Sequence, residues 1–234
     1  MKPYDPSRTL VSLHIPKTAG TSFTDALTTW FGPEDLHFHY RAKDGTLPAL
    51  VEGRPGLCVH GHFNRMRGFG GRASYPNANQ FIVFVRDPFD RFVSQWLYLH
   101  YQLEEGFVIP ELDGSPDFET WMARRREAAE AGEDGFSFLA QLADPVDPAN
   151  VAGAFGPDYV AIGLTERYDQ SLALFAAQLG KTAPASSWVN RARGAAGPFA
   201  GFRAAHERGF PLEHAVYAEA VRRFEAALAE RGLD

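Results

Sequence analysis

The chain predicts an α/β fold in which a central, mostly parallel sheet is flanked by helices. Three observations carry this. Short apolar runs alternate with helix-period patterns along the chain. One run, Phe81–Val85, is apolar throughout, as a strand covered on both faces must be. No internal repeat or long low-complexity tract breaks the alternation. The 234 residues, 45% hydrophobic and 22% charged, suffice for one large domain spanning residues 1–234.

The elements follow in order. A strand at Leu10–Ile15 runs into a turn, and a helix begins at about Thr21. Further strands are expected at Leu57–His60, Phe81–Val85 and Tyr159–Leu164. After the third strand, Asp87 suits a helix N-cap and Pro88 the first helical position. In that helix Phe89, Phe92, Val93, Trp96 and Leu97 follow the i, i+3, i+4, i+7 spacing, and Asp90, Arg91, Ser94 and Tyr98 form a polar face. A helix over Glu166–Leu179 stops at Gly180. The last, about Leu212–Arg231, turns Val216, Ala220, Phe224, Ala227 and Leu228 inward. Residues 104–154 are proline-rich and hold a helix around Phe118–Ala131, so they read as a helical insertion over the core. Ala183–Phe202 lacks periodicity and predicts a long loop, making 183–231 a C-terminal loop and helix.

Bulk properties exclude several classes. A net charge of −6 argues against a non-specific nucleic-acid binder. It also means that any anion site has to be built locally. Cys58 is the one cysteine, so neither an intrachain disulfide nor a thiolate-rich zinc site can form. The polar start of the chain leads into an apolar strand of about six residues, too short for a signal-peptide core, and no run approaches the ~20 apolar residues of a bilayer span. The expectation is a cytoplasmic protein without a membrane anchor.

Three constellations carry chemistry. In the first, Lys17, Thr18, Ala19, Gly20, Thr21 and Ser22 form a strand–turn–helix that aims backbone N–H groups, a helix N-terminus and an ammonium at one small volume. Its natural occupant is a phosphate or sulfate. The ATP-binding loop G-x-x-x-x-G-K-[ST] places its lysine after the last glycine, whereas Lys17 precedes Gly20. The bland alternative is an ordinary turn with a surface lysine. In the second, Arg86 follows the central strand and Ser94 lies on the polar face of the next helix; an arginine fork suits phosphate oxygens, unless it merely pairs with Asp87 or Asp90. The third is His60-Gly61-His62 at a strand end, where period two puts both imidazoles on one side and the glycine leaves room for a ligand. A histidine base, a metal site (His37 and His39 share the spacing) and a structural pair are all open on spacing alone. All three lie at the carboxyl ends of neighbouring strands, where open α/β sheets bind ligands.

These residues resemble a known family. Pro16-Lys17-Thr18-Ala19-Gly20-Thr21-Ser22 is similar to the 5′-phosphosulfate loop of sulfotransferases, and Val85-Arg86-Asp87-Pro88-Phe89-Asp90-Arg91-Phe92-Val93-Ser94 to their 3′-phosphate motif. His60-Gly61-His62 resembles the active-site motif of uronyl and heparan sulfate 2-O-sulfotransferases, and Gly163–Tyr168 a further signature of that group. The resemblance implies a single P-loop-type domain, with 3′-phosphoadenosine 5′-phosphosulfate as co-substrate and no metal. By analogy, Lys17 contacts the 5′-phosphate and the bridging oxygen. Thr18, Ala19, Gly20, Thr21 and Ser22 cradle that phosphate, Arg86 and Ser94 hold the 3′-phosphate, and His62 is the base with His60 supporting it. The acceptor would be a hydroxyl, by analogy on a saccharide. Asn190, Arg191 and Arg193 occupy the place of the family's C-terminal cofactor loop. The animal relatives carry Golgi anchors and disulfides, so this chain resembles a shorter, soluble, bacterial-type member.

Acceptor contacts are sought among Arg65, Arg67 and Arg72, in Arg124-Arg125-Arg126, and among Phe63, Trp121 and Trp188, against the alternatives of a solvated basic face and core packing. Two rival functions stand beside transfer. One is a P-loop kinase or nucleotide hydrolase with Asp87 on magnesium. The other is a non-catalytic nucleotide-binding module.

Overall fold

The computed structural model describes residues 1–42, 45–114, 116–184 and 197–233. A five-stranded, all-parallel sheet is built from β1 (Leu10–Leu13), β2 (Leu36–His39), β3 (Cys58–Gly61), β4 (Phe81–Val85) and β5 (Tyr159–Leu164), in the order β2-β3-β1-β4-β5. The helices are α1 (Gly20–Asp35), α2 (Gly71–Ser74), α3 (Pro88–Glu104), α4 (Phe118–Glu130), α5 (Tyr168–Leu179), α6 (Arg203–Gly209) and α7 (Pro211–Arg231). The expected α/β class therefore holds.

Period-two alternation explains why the sheet is covered on both faces. On β4, Ile82 and Phe84 pack with Phe23, Leu27 and Trp30 of α1 and with Leu172 and Phe175 of α5. Phe81, Val83 and Val85 face the other way, against Val216, Phe224 and Leu228 of α7. A register shift between β4 and β5 at Phe81/Ile82 skips Val160, so Val160 and Ala161 both join the α1/α5 layer. A third apolar cluster joins Phe89, Phe92 and Trp96 of α3 to Phe118 and Trp121 of α4 and to Phe210.

Several expectations shift. β1 ends at Leu13, two residues before the expected limit. β3 covers Cys58–Gly61, one residue later than expected at each end. The sequence reading missed β2, an edge strand whose Phe38 is exposed. Arg91, expected on the polar face of α3, is buried at 3% exposure and donates to the Phe136 carbonyl at 2.8 Å. Thr165–Arg167 forms a 3-10 turn, so α5 starts at Tyr168 and not Glu166. At the end of the expected long loop, Gly197–Phe202 forms a 3-10 turn whose Phe199 and Phe202 pack on the α3/α4 cluster. Trp188, Asn190, Arg191 and Arg193 lie outside the described residues. Among those described, no helix is long and apolar enough to cross a membrane.

The topology fixes where a ligand can enter. From β1 the chain moves to β2 and returns through β3, then passes over to β4 on the opposite side of β1. The strand order therefore reverses at β1/β4, and a crevice opens beyond the carboxyl ends of those two strands. The loop after β1 carries Lys17 and the loop after β4 carries Arg86.

Candidate active site

The turn between β1 and α1 is held in an uncommon shape. Lys17 and Ala19 both adopt left-handed backbone angles, with φ of 72° and 62°. Non-glycine residues there carry strain of roughly 1–3 kcal/mol each, and such strain concentrates at ligand clamps. The Thr18 hydroxyl donates to the Ile15 carbonyl at 2.7 Å and steadies the bend from inside. The N-cap of α1 is Ala19, which offers no side-chain acceptor, and the first turn contains no acidic residue. The leading N–H groups of the helix and its positive end are thus left to whatever binds in front of them.

Gly20 is required by a close approach: a Cβ there would lie 1.7 Å from His14 Nε2. The His14 ring is seated under the start of α1, with Nδ1 2.7 Å from the Tyr40 hydroxyl. It also lies against two other imidazoles, its centroid 5.2 Å from that of His60 and 4.6 Å from that of His62.

The two motif histidines have different surroundings. His60 is fully buried, with Nδ1 2.9 Å from Ser12 Oγ and Nε2 3.3 Å from Thr24 Oγ1. Both of its nitrogens are engaged by β1 and α1. His62 lies just beyond the strand, and its Nε2 has no hydrogen-bond partner among the described residues. Burial lowers the pKa of His62 to about 4. Burial, then the neighbouring His62, brings His60 to about 3. Both rings are therefore neutral near pH 7, and the unpartnered Nε2 of His62 is itself buried. Gly61 does not make room for a ligand, as the sequence reading expects, because a Cβ there would sit 2.0 Å from the His39 carbonyl oxygen. It permits β2 and β3 to approach each other.

One cavity of about 560 Å³ gathers most of the predicted site. Lys17, Ala19, Gly20, Thr21, Ser22, His62, Arg86 and Ser94 line it; Thr18 and His60 do not. Arg86 Nη1 donates to the Lys17 carbonyl at 3.2 Å, joining the loops after β1 and β4. The Lys17 ammonium rests 4.1 Å from the centre of the Tyr98 ring. Burial, and then the Arg86 charge, lowers the Lys17 pKa. Arg86 is lowered by burial, against which Glu166, Asp90 and Asp87 act. Crowding two cations into a half-buried space favours an anionic occupant.

His14, Asp90, Tyr98, Thr165 and Glu166 also line this cavity and were not assigned to it from sequence. The two carboxylates are already engaged. Glu166 accepts from the Asp87 N–H at 2.8 Å and from the Tyr217 hydroxyl at 3.1 Å, and Asp90 pairs with Arg203 at 2.7 Å. The Gly163–Tyr168 signature was a usable signal for Thr165 and Glu166. His14, four residues before Thr18 on a run read as pure strand, had none.

Other sequence candidates prove structural. Asp87, the magnesium ligand of the rival reading, caps α3 through the Asp90 N–H at 2.9 Å and pairs with Arg203 at 3.0 Å. Arg72 pairs with Asp144 and Asp158, and Arg65 donates to the Leu139 and Leu142 carbonyls. Arg124 donates to the Asp113 carbonyl, Arg125 pairs with Asp134, and Arg126 with Glu130. Trp121 is core. His39 stacks on Phe63 with ring centres 4.8 Å apart, and no group of three or more metal-ligating side chains occurs among the described residues.

No curated protein matches this chain. The profile of the family described as "Sulfotransferase family" matches residues 4–147, more than half of the chain, and this span holds β1 through α4 with the cavity's loops after β1, β3 and β4.

Proposed function

Since the chain belongs to the sulfotransferase family, we propose that it transfers the sulfonyl group of 3′-phosphoadenosine 5′-phosphosulfate to an acceptor hydroxyl, on a carbohydrate, with His62 as the base. The observation that carries this reading is the meeting of Lys17, the uncapped start of α1, Arg86, Ser94 and the neutral ring of His62 in one cavity. The donor set fits a nucleotide with phosphate at both ends. N–H groups and an ammonium suit one phosphate, and a guanidinium with a hydroxyl suits the other. When bound, the nucleotide supplies a sulfonyl group activated by its anhydride link to phosphate.

The residues then divide the work. Lys17 and the leading N–H groups of α1 stabilise negative charge at the strained turn, where they need no reorganisation. Arg86 fixes the far end and, through the Lys17 carbonyl, couples its position to that turn. His62 Nε2 accepts the proton of the acceptor hydroxyl. His14 backs that ring, and His60, held by Ser12 and Thr24, supports the group from behind.

Calorimetry tests the reading directly. Adenosine 3′,5′-bisphosphate should bind more tightly than adenosine 5′-phosphate. Arg86→Ala should lower bisphosphate affinity about tenfold or more, consistent with loss of a charge-assisted contact, and barely alter the monophosphate. Equal affinities in the unaltered protein would refute the assignment.

A further inference from the structure

His62, Pro16 and Tyr98 are shared walls: behind them lies a second cavity of about 240 Å³. Its charge is unlike that of the molecule as a whole. The chain carries a net charge of −6, yet Arg41, Arg67 and Arg91 line this cavity and no Asp or Glu does so among the described residues. The other arginines of the region are engaged by carbonyls or carboxylates; of these three, only Arg91 feels a carboxylate of a described residue, the buried Glu213. Arg41 lies over Phe69 at 4.8 Å and Arg67 over Phe136 at 5.2 Å, and neither makes an ion pair with a described residue. Arg91 is buried, spends one N–H on the Phe136 carbonyl, and leaves its Nε without a partner. A buried guanidinium N–H without an acceptor is costly, and a stacked guanidinium keeps its in-plane N–H fork free for a carboxylate.

The remaining walls set size and shape. Phe63, Phe69 and Phe136 provide flat apolar surface, while Asn64, Gln95 and Gln141 add polar groups. The volume lies below the roughly 300–1,000 Å³ of sites for drug-sized ligands, so it seats one ring with its substituents.

We propose that this cavity is the acceptor subsite and that it takes a single-ring hydroxy acid, with the hydroxyl toward His62 and the carboxylate toward Arg67, Arg41 and Arg91. The proposal rests on the transfer reading above. In the reaction the acceptor oxygen forms the new O–S bond and its proton passes to His62. The S–O bond to the nucleotide phosphate breaks, and its electron pair leaves on that phosphate.

The test uses matched pairs of probes that differ in one carboxylate: methyl glucuronoside against methyl glucoside, and para-hydroxybenzoate against para-hydroxybenzamide. Binding is measured by calorimetry with and without saturating adenosine 3′,5′-bisphosphate. In at least one pair the acid should bind about tenfold or more tightly than its neutral partner, as a charge-assisted contact requires. The double variant Arg41→Gln/Arg67→Gln should bring that ratio close to one while keeping its melting temperature and its bisphosphate affinity. Equal binding of acid and neutral probes in both pairs overturns the proposal, as does a preference that survives the double variant. If the acid binds in an arginine-dependent way but the bisphosphate does not bind, the anion pocket stands and the transfer reading falls. If the bisphosphate binds but no acid is preferred, the reverse holds.

Discussion

Two imidazoles two positions apart share a motif but differ in what surrounds them, and substitution should separate them. His62→Ala removes a cavity-lining ring whose Nε2 has no hydrogen-bond partner among the described residues. Its turnover with the sulfonyl donor should fall about a hundredfold or more, the usual scale for loss of a general base, with little change in melting temperature. His60→Ala instead empties a fully buried space and takes the side-chain partner from Ser12, so thermal denaturation should show a loss of about 2–4 kcal/mol. Unchanged turnover in His62→Ala would remove it from the mechanism. Gly20→Ala forces a Cβ into the His14 ring and should weaken bisphosphate binding. Adding His14→Ala frees that space, so the double variant should bind more tightly than Gly20→Ala alone. Strand parity made it legible that both histidines face one side, and both do lie against His14. Their different hydrogen-bonding was not legible, because Ser12 and Thr24 come from other elements. The same limit applies to Gly61, whose missing side chain answers to a carbonyl on the neighbouring strand.

At the scale of elements, the entry into α3 carries more than its own cap. The Asp87 side chain accepts from the Asp90 N–H and receives Arg203, while its backbone N–H goes to Glu166. Asp87→Ala should cost about 1–2 kcal/mol in chemical denaturation, mostly from the lost cap, since the ion pair is partly exposed. Asp87→Asn, which keeps a capping oxygen, should restore most of that. Loss of bisphosphate binding in a folded Asp87→Asn protein would instead give this carboxylate a ligand role. Elements with strong local marks were legible: β4 and β5 match their expected bounds and α3 its expected start, because burial on both sheet faces and the Asp-Pro start are written in the chain. β2 was missed for a physical reason. Its Leu36-His37-Phe38-His39 has two apolar residues, one of them exposed at the sheet edge, so pairing with β3 and not its own pattern makes it a strand. Arg91 was placed on the wrong face of α3, since helical spacing alone does not foresee a carbonyl arriving from Phe136.

For the whole molecule, buried histidines set the acid limit. Burial first of all pushes His60 to about 3, His62 to about 4 and His206 to about 3, from an ordinary 6.5. These groups stay neutral in the folded chain but take up protons in the unfolded one below about pH 6.5. The unfolded state then binds more protons, so stability is fully present above that pH and falls as pH drops from 6.5 toward 4, each histidine contributing up to about 1.4 kcal/mol per pH unit. Melting temperature should therefore begin to decline near pH 6.5, well above the range in which carboxylates titrate, and a flat profile between pH 7 and 5 would contradict the burial of these rings. The cavity walls shared by Pro16, His62 and Tyr98 have a consequence for kinetics. With donor and acceptor seated in separate cavities, as proposed, they need not take turns, and neither must depart before the other arrives. Double-reciprocal plots at several fixed concentrations of one reactant should intersect, without the parallel lines left by an enzyme that carries the group itself.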